Sequence, residues 1–106
     1  MTRAEIGAKA PIIQQLWIRS DSIDSGDSAM IDAIAINLNE ALLFMLNPLH
    51  TRQVSEFRAA KSIQRAQDIL TQNQWTDATD QNIASQAVAE FQTLYQNWVA
   101  AQRPKT

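Results

Sequence analysis

Apolar residues return every three to four positions at Ala84, Ala87, Phe91, Leu94 and Trp98, drawing one seam along a single long helix. Such a seam is stable only when other helices cover it, so the chain must be built of helix packed on helix. At 106 residues the length suits one hydrophobic core and is short for two, and a single domain over 1–106 is expected. Apolar residues make up 45% and charged residues 19%; with the apolar ones periodically spaced, this is the composition of a chain that folds.

Thr2 and Glu5 have the spacing of a capping box, which starts a helix. Pro11 cannot donate to the preceding turn, so a helix restarts there and carries Ile12, Ile13, Leu16 and Trp17 on its inner face to about Ser20. Ser20 to Ser28, rich in short polar side chains, reads as a loop, with Asp27 or Ser28 as cap of the next helix. That helix is apolar around most of its circumference, which marks either the central helix or an oligomer interface. Asn47 and Pro48 end it. A new helix starts at Pro48 or, with Thr51 as cap, slightly later, and its stripe of Val54, Phe57, Ala60, Ile63, Ala66, Ile69 and Leu70 is predicted to face the core. Thr71 to Asp80 has turn composition, and Trp75 within it is expected to fold back as a lid. Thr79 or Asp80 then caps the last helix, and Pro104 ends the ordered chain.

The expected fold is all-α: a small antiparallel up-down bundle of four helices, over 3–20 with a break at Pro11, 28–46, 49–72 and 80–102. A three-helix core with an N-terminal helical arm is the alternative.

A net charge of -2 provides no global field toward nucleic acid or anionic membrane. The lack of cysteine removes disulfides, thiolate catalysis and cysteine-based zinc sites, and fits a cytoplasmic location. Met1 to Ala10 lacks the apolar core of a signal peptide. The longest apolar run, Ala41–Leu46, falls short of the ~20 residues of a membrane span, so no membrane association is expected.

Few residues point to chemistry. His50 is the sole histidine, with no second ligand or orienting carboxylate at helical spacing, and reads as a residue at a helix start. The segment Asp21–Asp32 imitates a calcium loop but places Ile23 where an oxygen ligand is needed. Asp24 with Asp27, and Asp77 with Asp80, read as caps rather than acid-base pairs. Trp17, Trp75, Tyr95 and Trp98 read as core rather than as the walls of a pocket for a flat ligand. No metal, no cofactor and no catalytic set is expected. Arg58, Lys61 and Arg65, at i, i+3 and i+7, form a basic ridge that can meet phosphates or an acidic partner. Against this, the five carboxylates between Asp21 and Glu40 are placed to neutralise it. Twelve glutamines add uncharged polar faces, which lose less than charged ones when a contact desolvates them.

The strings NEALLFML and IQRAQDIL, within Leu38–Leu70, resemble the second and third helices of the flagellin export chaperone family over about a third of the chain. The resemblance implies a small bundle whose apolar groove holds a helical segment of a client protein. The residues alone point to a non-enzymatic protein-interaction module binding a protein partner or a second copy of itself; a chaperone or adaptor is the specific version, and a regulator or immunity-type inhibitor is equally allowed by them. Ile31, Ile34, Leu38, Leu42, Phe44 and Met45 are the expected contact residues, as surplus apolar surface on the second helix. The alternative is a regulator binding nucleic acid or another anionic ligand through Arg58, Lys61 and Arg65, although the ridge has too few cations and no exposed aromatics to make nucleic acid a strong expectation.

Overall fold

The computed structural model describes residues 2–102; the expected chain end at Pro104 lies outside them. The described residues form five helices, α1 (Arg3–Lys9), α2 (Pro11–Ser22), α3 (Gly26–Leu46), α4 (Arg52–Gln72) and α5 (Ala78–Gln102). The class is all-α as read from the sequence, with the break at Pro11 separating two helices instead of kinking one. Thr2 closes the capping box with Glu5, and Pro11 opens α2 as its first residue. Gly7 lets α1 lie close to α2: a Cβ there would come within 2.8 Å of the Gln14 Oε1. Ile6 of this short helix and Ala10, which joins it to α2, are buried in the common core.

α3 is the central helix, packed against α2, α4 and α5. Its 21 residues have a mean hydropathy of 1.6 over the most apolar window, long and apolar enough by composition to cross a membrane. The uninterrupted run Ala41–Leu46 understates this, because single polar residues are spread along the rest of the helix. Ile31, Ile34, Leu38, Leu42 and Met45 are all buried, closed over by the neighbouring helices, and Phe44 is half-buried. The face expected to greet a partner is thus mostly the interior of the fold.

α4 differs from the predicted stripe. Its buried residues are Ser55, Ala59, Ser62, Ile63, Ala66 and Leu70, while Val54, Phe57 and Ala60 are exposed. The buried seam begins with small side chains, which allow α4 to lie close along α3. Phe57 would hold the helices apart if it faced inward. On α5, Ala84, Ala87, Val88 and Phe91 enter the core, and Leu94, Tyr95 and Trp98 pack partly buried beyond them. Trp17 is buried too, and the Arg3 guanidinium lies 4.7 Å from its ring centroid.

One end of the molecule is tied by polar groups. Ser20 Oγ donates to the Ser28 carbonyl and Ser28 Oγ to the Ser20 carbonyl, pinning the end of α2 to the start of α3. α3 begins at Gly26 after Ser25, two to three residues earlier than predicted, and Asp27 does not cap it. Instead Asp27, wholly buried, accepts from the backbone amides of Thr76 and Asp77, each at 3.0 Å. Asp77 in turn caps α5, accepting from the amides of Thr79 and Asp80, so the expected caps Thr79 and Asp80 lie inside the helix. Asp80 is released to pair with Arg19 of α2, whose Nε donates at 2.7 Å. Trp75 folds back over this end, its Nε1 donating to the Leu70 carbonyl.

The Thr76 amide is the largest influence on the Asp27 carboxyl; it outweighs burial and, with the Thr76 hydroxyl and the Asp77 amide, holds the group below the usual carboxylate range. A depressed folded value makes the stabilisation complete above the unfolded value, near 3.8, and removes it as pH falls through the folded value. Asp27→Asn is therefore expected to lower stability at pH 7 and to flatten the acid limb of the unfolding curve below pH 4, read by circular dichroism in urea across pH. An unchanged acid limb would count against this anchor.

Candidate functional site

Among the described residues, the exposed large apolar side chains are Ile18, Ile36, Leu43, Leu46, Leu49, Val54 and Phe57. All but Ile18 lie on α3, the α3–α4 connection or the first turns of α4. The clustering matters more than the exposure of any one, since single exposed apolar residues are ordinary. Leu49 is 89% and Phe57 61% exposed, far beyond what packing of this chain demands. Asn47 shapes the connection by accepting from the Leu49 amide at 2.9 Å, and Thr51 caps α4 by accepting from Val54 N.

A groove of about 580 Å³ runs between α3 and α4, lined by Glu40, Phe44, Gln53, Val54, Phe57, Arg58, Lys61 and Arg65. The sequence ridge and Phe44 are thus brought into one place. The three cations behave differently there. Arg65 is held by α3: its Nε donates to Asn37 Oδ1 at 3.2 Å and its guanidinium sits 3.5 Å from the Glu40 carboxylate. Arg58 and Lys61 pair with no carboxylate among the described residues. Arg58 lies 5.7 Å from the Phe44 ring centroid and the Lys61 ammonium 4.7 Å from that of Phe57. Neutralisation of the ridge by α3 is therefore confined to one of its members.

His50 stacks on Phe44 with centroids 6.1 Å apart, and its Nδ1 is enclosed without a hydrogen-bond partner among the described residues. The segment that imitates a calcium loop does not have loop geometry: from Gly26 onward it is helical, and Asp27 is committed to the 76–77 turn. No group of three or more metal-ligating side chains occurs among the described residues. Tyr95 donates its hydroxyl to the Glu56 carbonyl at 2.9 Å, and burial, reinforced by the Glu56 charge, raises its phenol above the ordinary value.

Sequence reasoning placed Val54 and Phe57 in the core and so missed the middle of this surface. The signal was present in the run Ser55, Ala59, Ser62, Ala66, which repeats at helical spacing and forms a better inner face once serine is allowed there. The groove joins the apolar side chains of Phe44, Val54 and Phe57 to the cations Arg58, Lys61 and Arg65.

No protein family, curated protein or solved structure matches the chain. The resemblance to flagellin export chaperones stands on the two helical strings alone.

Proposed function

We propose that the chain is a non-enzymatic protein-interaction module, a small chaperone or adaptor, whose α3–α4 groove receives an amphipathic helix with acidic flanks. The observation that carries this reading is Phe57, 61% exposed in the groove and bordered by two cations free of carboxylate partners among the described residues. A helix with apolar residues every three to four positions would cover Phe57 and Val54, while its carboxylates would meet Arg58 and Lys61. In this reading α3, α4 and α5 run alternately up and down, an order favoured by the short connections 47–51 and 73–77. Such a layout would give the groove two rigid walls. Contact with nucleic acid through the ridge is the weaker reading, because Arg65 is engaged by Glu40 and two remaining cations are few for phosphate contacts.

Selection from a display library of random helical peptides of about 20 residues tests this reading. The recovered peptides are expected to carry helically spaced apolar residues flanked by Asp and Glu. Phe57→Asp is expected to weaken their binding by about tenfold or more while changing unfolding free energy by less than about 0.5 kcal/mol. Recovery of no peptide, of basic peptides, or of peptides indifferent to Phe57→Asp would overturn the reading. So would strongly salt-dependent binding of a DNA oligonucleotide abolished by Arg58→Glu with Lys61→Glu, which would assign the surface to nucleic acid.

A further inference from the structure

We infer that a second copy of this chain supplies the acidic helix, so that the molecule is a symmetric dimer in which α3 of each copy docks on α4 of the other; this rests on the proposed groove function. The two helices carry complementary faces. Along α3, Asp32, Ile36, Glu40 and Leu43 recur at i, i+4, i+8 and i+11, an apolar line with a carboxylate beside each step; Ile36 is 55% and Leu43 40% exposed. All 21 residues of α3 include three carboxylates and no cation. Along α4, Val54, Phe57, Arg58 and Lys61 occupy i, i+3, i+4 and i+7, an apolar line with cations beside it.

These faces adjoin one another, because Phe44 and Glu40 of α3 already wall the groove that Phe57 and Lys61 of α4 complete. A two-fold axis between two such hairpins sets each acidic apolar line against a basic apolar line at once, the self-complementarity that an isologous interface requires. Apolar contact supplies the attraction and the charges set the register, since stacking α3 on α3 would oppose like charges. Asp32 forms no ion pair among the described residues, which leaves it free to meet a cation of the second copy.

Sedimentation equilibrium on the whole chain and on two charge-reversed variants tests the dimer. One variant carries Asp32→Lys with Glu40→Lys, the other Arg58→Glu with Lys61→Glu; circular dichroism confirms that each stays helical. The wild-type chain is expected at twice its chain mass, dissociating only as it is diluted. Each variant alone is expected to dissociate at least about tenfold more readily, and their equimolar mixture to recover the wild-type affinity as a heterodimer. A wild-type monomer at every concentration overturns the inference, as does a dimer indifferent to both reversals or a mixture that stays monomeric. A monomer that still captures acidic helical peptides through Phe57 refutes the dimer while leaving the groove function standing.

Discussion

Phe91→Ala is expected to lower the unfolding free energy by about 3–5 kcal/mol and the melting midpoint by more than about 10 °C. Phe91 is fully buried, the largest of the side chains so enclosed, and it lies on α5 in the cluster with Ile13 and Leu16 of α2 and Leu38 of α3. Truncating it removes the transfer free energy of a ring and leaves a cavity that rigid helices refill only in part. Urea unfolding followed at 222 nm measures the loss. A cost below about 1 kcal/mol would mean that α5 does not hold this place in the core.

Asp80→Ala is expected to cost roughly 2 kcal/mol, large for the removal of one side chain near a helix end. The Asp80 side chain is only 4% exposed and its partner Arg19 34%, so the pair is shielded on one side and open on the other. Removing the carboxylate strands a guanidinium beside the α2–α5 contact. Removing both, as in Arg19→Met with Asp80→Ala, is expected to recover a good part of that loss, because no unpaired charge is left. The double-mutant cycle reads this directly, and strictly additive single costs would show that the pair is not coupled.

The elements announced themselves more clearly than the faces did. Pro11 and Asn47–Pro48 mark helix ends by what their backbones can and cannot bond, and those boundaries stand, whereas the helix expected from 49 begins only at Arg52, after the Thr51 cap. At the start of α5 the sequence points to Thr79 or Asp80 as cap, and Asp77 takes that place instead. The choice is decided by Arg19, remote in sequence, which draws Asp80 into an ion pair and leaves Asp77 to cap. Asp27 repeats the lesson, since its two amide partners come from a turn about fifty residues away.

Facing is harder because a helix that is apolar nearly all round does not say which arc will be covered. On α3 the arc through Ile31, Ile34, Leu38 and Leu42 is buried, and the opposite arc, through Ile36 and Leu43, is left to solvent. On α4 large residues suggested one inner face, yet small ones, Ser55, Ala59 and Ser62, took it, because close approach to α3 leaves no room for Phe57. The candidate site is the sum of these two rotations. Arg58, Lys61, Arg65 and Phe44 were visible as separate features, and only packing gathers them into one groove.

The most direct measurement of the central claim is a residue-by-residue map of amide chemical shifts as a selected acidic helical peptide is titrated into the labelled chain. The groove account predicts changes concentrated on Glu40, Phe44 and Gln53 through Arg65, with the solvent side of α2 unaffected. Changes centred on α2 or α5, with the Phe57 region silent, would contradict it.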